Sequence, residues 1–239
     1  MPQDAFPPRN PPLRSALRWR MRRGCYNAKR LEYEATVLAS VCGAVRLGRD
    51  EELRSSLARR GLGGDAVSAL RFREAEFEYG VILPTDRTWN LPRLQGPTFD
   101  VGFEMSAAGH RILVVPPTDV RLQPRLANAQ HVFHAKKAPA CGDLDVLIRW
   151  IETQGGEAPL DACVAALDSP GARERIFGLV FGGHLSLDLA SAITDLSIVR
   201  LGSRCRMSSW DKLGWRILRT DRAPTSTSPD AAELEIGSA

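Results

Sequence analysis

Three glutamates, Glu74, Glu76 and Glu78, alternate with apolar or aromatic residues in the stretch REAEFEYGVILP. Residues two apart share one face of a strand, so this run would line up carboxylates, the hard oxygen groups that hold divalent cations. The same alternation also describes the solvent face of a half-buried strand. His131 and His134 stand three apart, near one helical face, but no cysteine or carboxylate lies close by in sequence to complete a metal site. Gly61, Gly63 and Gly64 make a glycine-rich turn that no strand precedes and no Gly-Lys-Ser/Thr follows, so a phosphate loop is not expected. There is no Gly-x-Ser-x-Gly elbow. Trp210 and Trp215, with Lys212 and Arg216, could stack on bases or simply pack.

Charge is uneven along the chain. The net charge is only +4, yet residues 1–30 carry eight cations against one acid, Asp4. Arg18, Arg20, Arg22 and Arg23 lie at the centre of that run. From Asp221 onward, four acids face one arginine. A basic arm is a footprint of nucleic-acid binding. Its four prolines between residues 7 and 12 also fit a solvated leader.

The elements that would position these residues follow from hydrophobic periodicity. At 239 residues the chain is long enough for one large domain or two small ones. A 44% hydrophobic and 25% charged composition is that of a globular protein and excludes a disordered chain or a rod. No apolar run approaches the roughly 20 residues that cross a bilayer, and no apolar stretch follows the N-terminal charges, so neither a membrane span nor a secretory signal is expected. Five scattered cysteines without a CxxC pair predict reduced thiols in a cytoplasmic protein. Cys42 and Cys163, among apolar neighbours, read as small core residues.

Leu31, Ala35, Leu38, Ala39 and Cys42 recur at helical spacing over residues 27–44. A second helix is expected over 50–60, extended structure over 70–83, and a loop over 84–97. A short helix over 101–109 and a buried strand over 111–115 complete the first half, giving an α/β domain with a mixed sheet. After Lys136 and Lys137 the texture changes. Leu144, Leu147, Ile148 and Ile151 line one face of a helix over 143–154. Shorter helices over 159–167 and 170–181 precede strands over 184–189 and 197–201. Three short helices followed by a hairpin in about 60 residues is the winged-helix order. Its third helix bears Arg173 and Arg175, the residues that would meet DNA, with Ile176, Leu179 and Val180 turned to the core.

These segments together resemble a family. GHRILVVPPTDVRLQPRLANAQHVFHAKK (109–137) looks like the end of the nuclease domain in TnsA-type endonuclease subunits of heteromeric transposases, with Val120, Arg121, Pro124, Leu126, Asn128 and Ala129 carrying the likeness. RIFGLVFGGHLSLDLASAITDLSIVRL (175–201) is similar to the family's winged-helix end, and RLEYEATVLASVCGAVRL (30–47) to its opening helix. The likeness covers residues 28–201. It implies a restriction-endonuclease-like (PD-(D/E)XK) domain over 27–137 and a winged-helix domain over 138–205. A flexible basic arm over 1–26 and a C-terminal segment over 206–239 flank them.

The resemblance further implies Mg²⁺-dependent hydrolysis of DNA phosphodiesters beside transposase and ATPase subunits. It puts Glu32 in the place of the helix-borne metal glutamate. Two registers are open for the strand carboxylates. One takes Asp100 but leaves Val114, Val115 and Pro116 where a carboxylate and lysine belong. The other takes Glu76-x-Glu78, with Asp65 eleven residues earlier, and alone fits the Asn128 segment. The expected catalytic set is then Glu32, Asp65, Glu76 and Glu78, with Glu32, Asp65 and Glu76 on the metal. If these carboxylates are scattered, the reading becomes a non-catalytic DNA-binding or scaffolding protein. A third possibility is a regulator whose first domain senses a ligand through a closed apolar pocket.

Overall fold

The computed structural model describes the backbone of residues 13–202 and 209–218, and side chains from Asn27 onward. The chain opens with α1 (Leu13–Val41), then β1 (Val45–Arg49) and α2 (Glu51–Arg59). Ala28, Leu31, Ala35, Leu38 and Ala39 form the buried stripe of α1, at the spacing that sequence periodicity requires. The helix starts at Leu13, just past Pro12, so the second half of the expected flexible arm is helical. In α2, the Asp50 side chain caps the first turn by accepting from the Leu53 amide at 3.1 Å.

The expected extended stretch is two strands, β2 (Val67–Glu74) and β3 (Phe77–Pro84), turning at Ala75 and Glu76. Ala75 adopts a left-handed φ of 52°, an unmarked turn because glycine or asparagine normally fills such a position. β3 leads through α3 (Asp86–Trp89) and α4 (Pro92–Ala107) to β4 (Ile112–Val114). The expected loop over 84–97 is therefore partly helix. Pro92 sits in the first turn of α4, where its missing N–H costs nothing, and Pro97 is carried inside. The sheet order is β1-β2-β3-β4, with the first two pairings antiparallel and β3–β4 parallel. The α3–α4 crossover makes the parallel pairing possible. The front half is thus α/β with a mixed sheet, as its sequence predicts.

α5 (Pro117–Val120) and α6 (Arg125–His134) lead to the second half. There the order is α7 (Asp143–Thr153), β5 (Glu157–Pro159), α8 (Leu160–Leu167), α9 (Ala172–Phe181), β6 (Leu185–Leu187) and β7 (Ile198–Leu201). The small sheet runs β5-β7-β6, antiparallel throughout. β5 is too short to leave a periodic signal. Ile176, Leu179 and Val180 of α9 are buried, as their spacing requires.

α6 joins the two halves. Its Leu126 and Ala129 belong to the front core, its Val132 and the adjoining Ala135 to the rear one. Gly178 of α9 lies so close that a Cβ there would come 2.6 Å from the Ala135 carbonyl oxygen. The chain then returns to the front. α10 (Ser209–Leu213) puts Trp210 in the core against Phe72 and Tyr79, and the Leu218 amide donates to the Ile112 carbonyl at 2.8 Å. The expected C-terminal segment therefore includes core residues of the first domain. Among the described residues, no helix is long and apolar enough to cross a membrane.

Candidate functional site

α1 presents Glu32 towards β1. The Arg46 and Arg49 guanidinium groups each approach its Oε2 at 3.7 Å. Asp65, exposed in the turn that enters β2, lines the same cavity of about 200 Å³ as Glu32, together with Lys29, Arg49 and Arg54. These two expected ligands are brought to one place.

Glu76 and Glu78 are not. Glu76 is the exposed tip of the β2–β3 turn, and Glu78 is on the first half of β3, paired with Arg73. Six residue rows separate the Arg73–Glu78 pair from the Val67–Pro84 pair at the Asp65 end. At about 3.3 Å per residue that is roughly 20 Å. Eleven residues of spacing misleads because an antiparallel hairpin sets the start of β2 beside the end of β3. What lies there is Leu83, Pro84 and Thr85, with Thr85 Oγ1 and Thr88 Oγ1 donating to the Ala66 carbonyl at 3.0 and 2.7 Å. No carboxylate or lysine comes from β3 at that end. Among the described residues, no group of three His, Cys, Asp or Glu side chains is placed to hold a metal. The set Glu32, Asp65 and Glu76 does not fit Mg²⁺. Asp100, the alternative, is exposed on α4.

Glu78 instead faces a second cavity of about 300 Å³. Its Oε2 is 3.6 Å from Arg71, which also donates from Nε and Nη2 to both Asp50 oxygens at 3.1 Å. The hydrogen bond to Asp50 raises the Arg71 pKa above its ordinary value, against burial. His110 lies 3.8 Å from Glu52 on this rim. Arg111 stacks on Phe77 at 3.5 Å.

Among the described residues, the most buried acid is one that carries no expected role. Glu34 is 2% exposed and accepts from Arg30 at 2.7 Å and from Arg121 at 3.0 Å. Arg121 continues to Asp86 at 2.7 Å. Burial opposes charge on Arg121, but the hydrogen bonds to Asp86 and Glu34 prevail and raise its pKa. A signal for Glu34 is present in the sequence: it falls three residues after Leu31 and four before Leu38, on the apolar stripe itself.

In the rear half, both arginines expected to meet DNA are engaged within the protein. Arg173 pairs with Asp195 at the surface. Arg175 grips the buried Asp143 of α7, Nη2 to Oδ1 at 2.6 Å and Nε to Oδ2 at 2.8 Å. Arg18, Arg20, Arg22 and Arg23 lie on the leading part of α1, and their side chains fall outside the described residues. Hydrogen bonds from Ser191 Oγ and the Ala190 amide lower the Asp188 pKa.

Two weaker motifs resolve as packing. Trp210 and Trp215 are stacked in the core, ring centroids 5.9 Å apart and 16° from parallel, so neither is a platform for bases. His134 Nε2 lies 3.5 Å from the Tyr33 hydroxyl. Asn128 of the family-like segment is buried, and its Nδ2 donates to the carbonyls of Leu189 and Ser191 at 3.0 and 2.7 Å. It ties the segment after β6 to α6. No family model, curated protein or solved structure matches the chain.

Proposed function

We propose that this chain is a non-catalytic, DNA-bound scaffold of a cytoplasmic transposition complex, built on a TnsA-like frame whose metal site is no longer assembled. The observation that carries this reading is the separation of the expected carboxylates to opposite ends of the β2–β3 hairpin, with Glu32 and Glu78 facing arginines. The helix-led mixed sheet of the front half supports a restriction-endonuclease-like ancestry. The order helix, strand, two helices and hairpin in the rear half supports a winged helix. With Arg173 and Arg175 held by Asp195 and Asp143, that winged helix suits protein partners, a transposase or an ATPase subunit, better than a DNA groove. DNA affinity then falls to the basic run on α1.

One observation favours the endonuclease reading: Glu32 and Asp65 share a cavity, and Mg²⁺ is often held by only one or two carboxylates plus phosphate oxygens and water. One experiment separates the two. The full chain is assayed for DNA binding across a salt series and for nicking of supercoiled DNA with Mg²⁺ or Mn²⁺. Binding without nicking is expected. Replacing Arg18, Arg20, Arg22 and Arg23 together with Gln should flatten the plot of log K against log salt by about 0.9 for each phosphate no longer neutralised, up to about 3.6. Metal-dependent nicking that disappears in both Glu32→Ala and Asp65→Ala would replace the scaffold reading with the endonuclease one. A slope unchanged in the four-arginine variant would remove α1 as the DNA-binding element.

A further inference from the structure

A cavity of about 540 Å³ lies between the two halves, bounded by the end of α1, α6, the end of α9, β6 and α10. Leu38, Val41, Ala129, Phe181, Leu187 and Leu189 give it apolar walls. Its size falls within the roughly 300–1,000 Å³ of small-molecule sites, which favour such junctions. Among the described residues, five polar side chains line it: Arg125, Lys212, Cys42, Ser186 and Asp188.

Two of these are already accounted for. Asp188 is satisfied by Ser191 and the Ala190 amide. The Cys42 thiol is pushed up to about 11 by burial, so it is neutral at physiological pH. The two cations are different. Arg125 donates from Nη1 to the Leu213 carbonyl at 2.7 Å and from Nη2 to the Asp119 carbonyl at 2.6 Å, which fixes the guanidinium without neutralising it. Its Nε is buried with no hydrogen-bond partner, a cost in free energy that the fold carries. Neither Arg125 nor Lys212 has a carboxylate partner among the described residues. Among the described residues, the lining thus joins an apolar body to a positive end that Asp188 offsets only in part.

We propose that this junction binds a small amphipathic carboxylate, its apolar part against α1, α6 and β6 and its carboxylate towards Arg125 and Lys212. One acid group matches two cations partly offset by Asp188, whereas a polyphosphate would need more positive charge than the walls supply. Leu189 both lines the cavity and receives the Asn128 hydrogen bond. Occupancy would therefore stiffen the link between the halves. This inference stands apart from the DNA scaffold reading and survives its failure.

The test uses the full chain and two probes that differ only at the head group, 4-phenylbutyrate and 4-phenylbutan-1-ol, titrated by calorimetry. We expect one acid bound per chain and the alcohol to bind at least tenfold more weakly. Lys212 is exposed, so Lys212→Glu should fold and should weaken the acid at least fivefold while leaving the alcohol unchanged. Val41→Trp, which fills the cavity from a half-buried position, should remove binding of both. No acid binding to the wild-type chain, equal binding of acid and alcohol, or an unchanged Lys212→Glu titration would each overturn the proposal. Should Val41→Trp unfold the chain, the probe pair and Lys212→Glu still decide it.

Discussion

Arg175 separates a structural arginine from a DNA-reading one, and its replacement by alanine has a calculable cost. The guanidinium makes one hydrogen bond and one close ion contact to Asp143, whose side chain is 6% exposed, while Arg175 itself retains 20% exposure. Removing one partner of a buried pair typically costs about 3–5 kcal/mol, because the other charge stays buried and unpaired. Here Asp143 keeps the Ala140 amide at 2.6 Å, and water reaches the arginine end, so about 2–3 kcal/mol is expected for Arg175→Ala. With a urea dependence of about 2.5 kcal/mol per molar, the unfolding midpoint should fall by about 1 M. Trp150, on the same helix as Asp143 and 37% exposed, provides the fluorescence readout. The double variant Arg175→Ala with Asp143→Ala should cost less than the sum of the two single changes, since each single change already breaks the shared pair. Arg173→Ala, which opens a surface pair, should cost less than about 1 kcal/mol. DNA affinity of folded Arg175→Ala should stay within twofold of wild type. Unchanged stability together with a tenfold loss of DNA affinity would refute the reasoning and return α9 to the DNA groove.

Asn128→Ala removes two hydrogen bonds to the segment after β6 and should destabilise the chain by about 1–3 kcal/mol, with faster amide exchange at residues 189–191 as the local check. Two thiols, half-buried Cys42 and buried Cys163, give a pH dependence. Burial raises Cys42 and Cys163 from 9.0 to about 11, so the folded state holds its thiol protons more tightly than the unfolded chain. Their contribution to stability is full below about pH 9 and should be lost as pH rises to about 11, which thermal unfolding across that range would measure against a Cys42→Ala, Cys163→Ala variant. Exposed Cys141 should react with a thiol reagent at pH 8 ahead of Cys42 and Cys163.

The fold is legible in the sequence where a segment is amphipathic and long enough to repeat. The helices α7, α8 and α9 and strand β4 fall within two residues of their expected positions, because each buries one regular face. The β2–β3 turn is not legible. Ala75 and Glu76 carry no turn chemistry, so the sequence reads as one extended run where the chain reverses. The consequence carries through to the site: a reversal midway between Asp65 and Glu76 would be needed to bring them together, and the chain reverses only at Ala75 and Glu76, so they lie at opposite ends of the hairpin. The first turns of α4 are hidden because Pro92, Gly96 and Pro97 mark loops in isolation, while Thr98, Val101, Gly102 and Met105 bury the helix that contains them. The return of residues 209–218 to the front core is a long-range event that no local pattern records.

Two of the expected site carboxylates, Glu32 and Glu78, face arginine, for a reason rooted in what carboxylates bind. A carboxylate that accepts a divalent cation also accepts a guanidinium, which is always charged and presents several donors in a fixed plane. Glu32, Glu34, Asp50 and Glu78 each face at least one arginine: Arg46 and Arg49, Arg30 and Arg121, and Arg71 between the last two. Apart from Arg30, those arginines come from β1, β2 and the segment after α5, on other elements than the acids they meet, so the sequence does not show these pairs side by side. Three-dimensional pairing changes their role. At Glu34 and Asp50 the buried charge is neutralised and the pairs fix α1 and the start of α2 against the rest of the front half. At Glu32 the two arginines sit 3.7 Å away at partly exposed positions, a looser arrangement that leaves this acid, beside Asp65, as the place where nuclease chemistry would have to occur if the chain retains any.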